Sequence, residues 1–412
     1  MRCSWDVDGR TWRLAMELHP EDPVTGPGQG TMQVSLLARD ARVQLPLAID
    51  EPHPDLVALA TLVTVRPWAL RRLVMDRGIT GDFADLVERI MGIEVTPIDD
   101  SLQPREPGDT PVLGYSAGFD SAASSLLLPD GIPHIHHLRY PHPRVPDRSS
   151  WRVDGIRHLV DQAGLRGRQT QVVVADFEHL CHPYPTLPSW FAVAVGCLLL
   201  ADHNDAGAIA LGGTFETFYM DMARSWTGGP PVGAGIDPLP AAVGLPIQRP
   251  VMGITEVGTM RIVLESDLAD ISRSCVLGTF DKACGVCSKC IRKDLLAAAI
   301  RGHLPAHLEN LSDDAPGWVA IRDAKQPIYM QAQLEYSLAR LDVRGLPLED
   351  LFNRLSPEAA ETDWMERAYH PALERGMSQR FASGVESRIQ AELDWMSQDD
   401  IAAAKSWVRP RP

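Results

Sequence analysis

Pro111-Val112-Leu113-Gly114-Tyr115-Ser116-Ala117-Gly118-Phe119-Asp120-Ser121-Ala122 starts as an apolar run, breaks into Ser and Gly, and resumes in small residues. Residues 111–115 read as a short buried strand, 116–121 as a tight turn and 122–128 as the start of a helix. A Gly-containing loop that leaves a strand and enters a helix aims successive backbone N–H groups at one point. The helix dipole adds about half a positive charge there, which favours a phosphate. The hydroxyls of Ser116 and Ser121 can donate to phosphate oxygens, and Gly118 permits a positive φ or a close ligand approach. Asp120 is out of place in an anion site unless it holds a Mg²⁺ that bridges phosphates, or caps the helix. The plainer alternative is an ordinary strand-to-helix connection in which Asp120 or Ser121 is only an N-cap.

Outward from this turn the same pattern repeats. Residues 132–138 form a second strand containing His134, His136 and His137, 153–163 a helix, 170–175 a third strand, 188–204 a helix and 207–211 a fourth strand. Strands alternating with helices at this spacing predict an α/β fold, a parallel sheet with helices on both faces, whose ligands bind at the carboxyl ends of the strands. Before it, segments 11–18, 32–37 and 43–49 alternate in polarity and predict a small antiparallel sheet with a Gly-rich turn at 25–28, covered by helices over 55–75 and 82–91. Residues 99–109, rich in Pro and charge, read as a linker, and 331–340 and 358–374 as amphipathic helices. The expected organisation is an N-terminal α+β domain (1–107), a central α/β domain (108–304) and a helical C-terminal region (305–412).

The chain has 412 residues, 45% of them hydrophobic and 23% charged, ordinary values for a soluble globular protein. A formal net charge of −15 repels polyanions, so broad nucleic-acid binding is not expected. Residues 1–10 carry Asp6 and Asp8 and lack the apolar stretch of a secretory signal, and the longest apolar run, 190–201, is too short to cross a bilayer. Four of the seven cysteines stand at metal-ligand spacing, which fits a reducing cytoplasm.

Those four are Cys275, Cys284, Cys287 and Cys290, with Gly285 in a tight turn between the second and third. A tetrahedral Cys₄ site suits Zn²⁺ as a closed structural site. An iron–sulfur cluster is the competing occupant. Lys289, Arg292 and Lys293 read as offsetting thiolate charge or as solvated.

The turn 116–121 resembles the S-G-G-x-D-S signature of the PP-loop ATP pyrophosphatases, with Ala117 where the family has Gly. An added methyl there is tolerated if the residue keeps a negative φ. The cysteine segment, Cys284-Gly285-Val286-Cys287-Ser288-Lys289-Cys290-Ile291-Arg292-Lys293 with Cys275 upstream, resembles the zinc-binding end of the 7-cyano-7-deazaguanine synthase (QueC-like) branch of that superfamily. The resemblance covers roughly residues 110–300. It implies a HUP-like fold and the transfer of AMP from ATP to a substrate carboxylate, followed by attack of ammonia to give an amide and then a nitrile. It implies ATP or pyrophosphate contacts from Tyr115, Ser116, Ala117, Gly118, Phe119, Asp120, Ser121, Gly213, Thr214 and Arg249, with Asp120, Ser116 and Ser121 catalytic. ATP, Mg²⁺ and structural Zn²⁺ are the implied cofactors.

Other residues leave alternatives open. Gly212-Gly213-Thr214 follows the fourth strand, with Glu216 and Arg224 just beyond, as substrate contacts or as a plain Gly turn with surface charges. Thr255 stands where a helix cap is expected, but Glu256 replaces the expected Lys, and Arg249 is either its substitute or half of a surface salt bridge. Trp190, Phe218 and Trp226 could stack on a heteroaromatic substrate or fill the core, and the three histidines read as core or edge residues. Cys3 follows Arg2, so it is not an N-terminal-cysteine glutaminase nucleophile, and Cys197 lies in an apolar helix. The expected acceptor is a small carboxylate or modified base, such as a 7-deazapurine acid, or a peptide or protein, and a homodimer stays open. The rival functions are sulfur transfer, with Cys181 the candidate thiol, and nucleotide binding without turnover.

Overall fold

The computed structural model describes residues 1–28, 32–139, 153–183, 186–228, 237–275, 278 and 282–407. The strands are β1 (Arg2–Asp8), β2 (Thr11–Glu17), β3 (Thr25–Pro27), β4 (Gln33–Leu36), β5 (Asp40–Gln44), β6 (Arg72–Ile79), β7 (Glu94–Ile98), β8 (Thr110–Gly114), β9 (Pro133–Arg139), β10 (Gln169–Ala175), β11 (Cys181–His182), β12 (Ala206–Leu211) and β13 (Ile247–Gln248). Ten of them form one mostly parallel sheet in the order β13-β12-β8-β9-β10-β5-β2-β1-β6-β7. β3, β4 and β11 form a separate three-stranded sheet. The chain is thus α/β, and the sheet runs continuously past residue 107, because β5 pairs antiparallel with β10.

Burial follows this topology. β12 is buried at every residue and β8 at its three central ones, as expected for parallel strands covered on both faces. β2 instead alternates buried and exposed residues, one face on the core and one toward solvent. Helix α1 (Pro54–Val65) is buried at all but its first residue. It shares a core with the N-terminal strands and with helix α5 (Val195–Leu199). Gly196 lets α5 press onto the sheet: a Cβ there would come within 2.9 Å of Val173 and 3.1 Å of Ile135.

Several boundaries differ from the sequence reading. The helix expected over 55–75 stops at Val65, just before Pro67, which has no N–H to continue it, and residues 72–79 become β6. Residues 25–27, read as a turn, form β3, where Gly26 is obligatory because a Cβ would lie 1.7 Å from the Pro67 carbonyl oxygen. The strand expected over 43–49 is β5, shifted toward the N-terminus, and β1 has no counterpart in the sequence reading. Residues 188–204 are not one helix but a 3₁₀ turn, Trp190–Ala194, followed by α5. Residues 358–374 break into Ala359–Thr362, the 3₁₀ turn Asp363–Glu366 and Pro371–Gly376, the last started by a proline at its first position. The linker is pinned as well: Arg105, buried, donates to Asp202 Oδ1 at 2.6 Å and to the Ala206 carbonyl at 2.8 Å.

The remaining helices that position the site are α2 (Gly81–Met91), α3 (Phe119–Leu127), α4 (Val153–Leu165), α6 (Phe215–Phe218), α7 (Pro238–Ala242), α8 (Glu256–Leu264) and α9 (Ser288–Arg301). The C-terminal helix Gln379–Glu392 packs its Val385 and Ile389 against α3, α4 and α8. No described helix is long and apolar enough to cross a membrane.

Candidate functional site

Strand order locates a cleft. β9 and β10 lie on one side of β8, and β12 and β13 on the other, all parallel, so the order reverses between β8 and β12. Crevices outside the carboxyl ends of strands at such a reversal are where open α/β sheets bind ligands. The turn 116–121 follows β8, and Gly212-Gly213-Thr214 follows β12. The two are in contact: a Cβ on Gly212 would lie 3.0 Å from backbone atoms of Asp120 and Ser121.

The turn is organised by its two serines. Ser121 Oγ donates to the Gly118 carbonyl at 3.1 Å, accepts from the Ser116 N–H at 3.1 Å and lies 3.0 Å from Ser116 Oγ. Ser116 Oγ accepts from the Gly118 N–H at 3.3 Å. The N-cap of α3 is Gly118, without a side-chain cap, so neither Asp120 nor Ser121 is the cap. The positive φ falls not on Gly118, at −87°, but on Ala117, at +58°. Ala117 is buried, and its carbonyl accepts from the Arg273 N–H at 2.9 Å. The Ala for Gly departure therefore sits at the one position of the turn where a side chain is strained.

Asp120 lies in the first turn of α3 and is half-buried. Its Oδ1 accepts from Thr259 Oγ1 on α8 at 3.1 Å. Burial raises its pKa, opposed mainly by the charge of Lys293. Glu256, one helical turn before Thr259, is buried, and its Oε2 is 2.6 Å from Arg292 Nη1 and 2.7 Å from Lys293 Nζ. Burial alone would raise the Glu256 carboxyl, but these two cations hold it down at about 2. Glu216 is fully buried and accepts from the Glu256 N–H at 2.8 Å and from Gln333 Nε2 at 3.2 Å. Burial, followed by the Glu256 charge, pushes its carboxyl up to about 7. Arg292 also bonds Gln333 Oε1, so the helix Gln331–Leu338 of the C-terminal region reaches this network. Arg292 and Lys293 are thus neither solvated nor committed to the thiolates.

At the N-terminus of α9, the helix that carries Arg292 and Lys293, the four cysteine sulfurs lie within 4.8 Å of one another and can hold a metal ion such as zinc. Cys284 Sγ and Cys290 Sγ are 3.7 Å apart, close to the edge of about 3.8 Å of a tetrahedron with Zn–S bonds of about 2.3 Å. Cys287 caps α9 by accepting the Cys290 N–H, Cys275 Sγ accepts the Cys284 N–H, and Gly285 supplies the left-handed turn at φ +69°. The segment is held from outside by Gly317, whose N–H donates to the Val286 carbonyl at 2.9 Å. A Cβ on Gly317 would meet Cys287 and Ser288 backbone at 2.3 Å.

The other sequence candidates fall into place individually. Thr214 is buried as the N-cap residue of the short α6, and Gly213 packs against Phe218. Arg249 is buried, 2.6 Å from Oδ2 of the partly exposed Asp237 and 5.3 Å above the Phe218 ring, so it forms a part-buried ion pair. Arg224 pairs with Asp221 at 3.5 Å. Trp226 stacks on Tyr219 within an aromatic cluster that includes Phe215 and Trp364, Phe218 is buried in the same cluster, and Trp190 packs against the α1 core. His134 bonds Ser125 Oγ at 2.7 Å and His136 bonds the Tyr115 carbonyl at 2.7 Å, and burial lowers both to about 4, leaving neutral core histidines. Cys181 is fully buried in β11, and burial pushes its thiol up to about 12, so it holds no ready thiolate. Thr259 and Gln333 do not stand out in the sequence. Thr259 had a signal, lying three residues from Glu256 on one helix face. Gln333 had none, because its contact spans the fold.

Residues 236–408 match a protein-family model described as a family of unknown function, DUF6395. That span holds the cysteines, α8, α9 and the C-terminal helices, and leaves the turn 116–121 outside it. No curated protein and no solved structure matches the chain.

Proposed function

We propose that the protein is an AMP-forming ligase of the PP-loop type, similar to the 7-cyano-7-deazaguanine synthases. It would adenylate a substrate carboxylate with ATP and pass the acyl group to ammonia or an amine. The observation that carries this reading is the meeting of the turn 116–121 with Gly212 at the strand-order reversal between β8 and β12.

A carboxylate is a poor electrophile at neutral pH, because its leaving group would be oxide. Transfer of AMP to one carboxylate oxygen forms a P–O bond, breaks the α–β phosphoanhydride and releases pyrophosphate. The nitrogen nucleophile then displaces AMP and loses a proton. In this scheme the backbone N–H groups at the start of α3 and the hydroxyls of Ser116 and Ser121 hold phosphate oxygens, exchanging their present bonds within the turn for bonds to the ligand. Asp120 keeps one carboxylate oxygen on Thr259 and has a second to offer a Mg²⁺. Bound Mg²⁺ supplies charge neutralisation as pyrophosphate departs. Zn²⁺ in the cysteine site is structural, fixing the head of α9. A 7-deazapurine acid is the leading acceptor, on resemblance alone, and the reaction would take place in the cytoplasm.

A second reading, nucleotide binding without turnover, draws on Ala117 at positive φ. Incubation of the full chain with ATP, Mg²⁺, ammonia and a panel of carboxylic acids separates the two. Pyrophosphate release above a no-enzyme control is expected, with a mass change matching exchange of hydroxyl for amino, or further loss of water to a nitrile. An Asp120→Asn variant should lose this release by at least about a hundredfold while remaining folded. Nucleotide binding with no AMP from any acid would favour the second reading.

A further inference from the structure

An anion at the first position of α8 is unfavourable beside a phosphate. Glu256 is there, and its helix packs directly on α3 through Thr259 and Asp120. Its charge is answered from α9. Lys293 Nζ is 2.7 Å from Glu256 Oε2, is buried, and sits 5.6 Å from the ring centre of Phe119, a residue of the phosphate-type turn itself. Apart from that ion pair, no hydrogen-bond acceptor reaches its ammonium among the described residues, so donors remain for another oxygen ligand. Arg292 is not equivalent. Its guanidinium is shared between Glu256 and Gln333 and lies 5.9 Å from the Tyr329 ring, which ties it to the C-terminal region. Arg249 is committed to Asp237.

Resting on the nucleotide reading above, we infer that Lys293 is the phosphate-binding cation of this site and that Glu256 is its resident counter-ion. Entry of a pyrophosphate group swaps the Lys293–Glu256 ion pair for a Lys293–phosphate one, while Arg292 stays on Glu256. The exchange involves no covalent step. It explains how a buried ammonium and a buried carboxylate can stand next to an anion-binding turn: each neutralises the other until the ligand supplies a stronger anion. It also gives the cysteine site a task in binding, because the metal-held turn fixes the end of the helix that carries Lys293.

The test is calorimetric binding of inorganic pyrophosphate to the zinc-loaded full chain, for the wild type and for Lys293→Met, Lys293→Arg and Glu256→Gln, each checked for zinc content and thermal unfolding. Loss of one charge-assisted contact should weaken Lys293→Met by roughly 10- to 100-fold, with Lys293→Arg partly restored. Glu256→Gln, which frees the ammonium, should bind pyrophosphate several-fold tighter than the wild type. Wild-type affinity in Lys293→Met, or a Glu256→Gln loss as large as that of Lys293→Met, would overturn the inference, the second because it marks the pair as a structural strut between α8 and α9. Should Lys293→Met not fold, Glu256→Gln decides by itself: pyrophosphate binding several-fold tighter than the wild type supports the inference, and unchanged or weaker binding overturns it. Failure of the wild type to bind either pyrophosphate or Mg-ATP would instead overturn the nucleotide reading beneath it.

Discussion

The turn after β8 and the cysteine segment before α9 both aim polar atoms at one point, yet they are closed in different ways. In the turn, Ser116, Gly118 and Ser121 already bond one another, and Asp120 already has Thr259. In the cysteine segment four sulfurs converge on one another, and backbone N–H groups such as those of Cys284 and Cys290 donate to them. Like thiolates crowded together repel, so the cysteine site is a demand for a cation. The turn makes no such demand, and a ligand there must exchange bonds the chain has already made. On the proposed reading, the cysteine site would keep its occupant and the turn would exchange its own.

The sharpest way to break that comparison is to remove the metal. Cys290→Ser, or extended chelation, should abolish zinc binding and melt the head of α9, a loss that can reach on the order of 10 kcal/mol of metal-linked folding energy. Metal content and thermal unfolding measure it. Ser121→Ala, at the corresponding heart of the turn, should shift stability by no more than about 1–2 kcal/mol. Equal effects of the two variants would mean that the turn is as much a structural element as the metal site.

How much of this was legible in the sequence follows from how local each feature is. The turn, the strand before it and the cysteine site are contiguous or nearly so, and their periodicity and spacing are readable. The partners of Glu256 were not, because Arg292 and Lys293 reach its carboxylate from a separate helix, α9. The strand β6 was hidden because α1 is apolar all round, so no change of period marks where the helix stops. The continuity of the sheet through β5 and β10 rests on a two-residue register, Val174 with Gln44 and Ala175 with Val43, which leaves no trace in either segment alone. Gly212 and Gly317 look like any loop glycines until the backbone atoms facing them are seen.

A smaller effect should come from Glu216, which links the two regions through Glu256. Its carboxyl is raised from 4.5 to about 7, so it binds a proton in the folded state that it releases on unfolding between those values. The stability it contributes is complete below about pH 4.5 and is lost as pH rises through about 7. Glu216→Gln keeps a neutral partner for the Glu256 N–H. The variant should lack this slope and gain on the wild type by about 1–3 kcal/mol between pH 5 and 8. Denaturant unfolding at stepped pH reads it directly, and parallel curves for the two proteins would place the buried charge elsewhere in the network.

The smallest expected effect in stability is at Ala117, and it bears most directly on the turn's capacity to exchange partners. A non-glycine residue at φ +58° costs about 1 kcal/mol or more. Ala117→Gly removes that strain but adds roughly 0.5–1 kcal/mol of backbone entropy to the unfolded chain, so the net change in stability should stay within about 1 kcal/mol. Ligand binding need not follow the same cancellation, because the unfolded chain does not enter it. If the turn loosens its own bonds to accept a phosphate, a glycine at this position lowers the resistance to that rearrangement, and pyrophosphate affinity should rise several-fold at nearly constant stability. A fall in affinity together with a fall in melting temperature would show that the methyl of Ala117, buried in the core beside α3, holds the turn in its binding shape, and that the turn is closed in the same sense as the cysteine site.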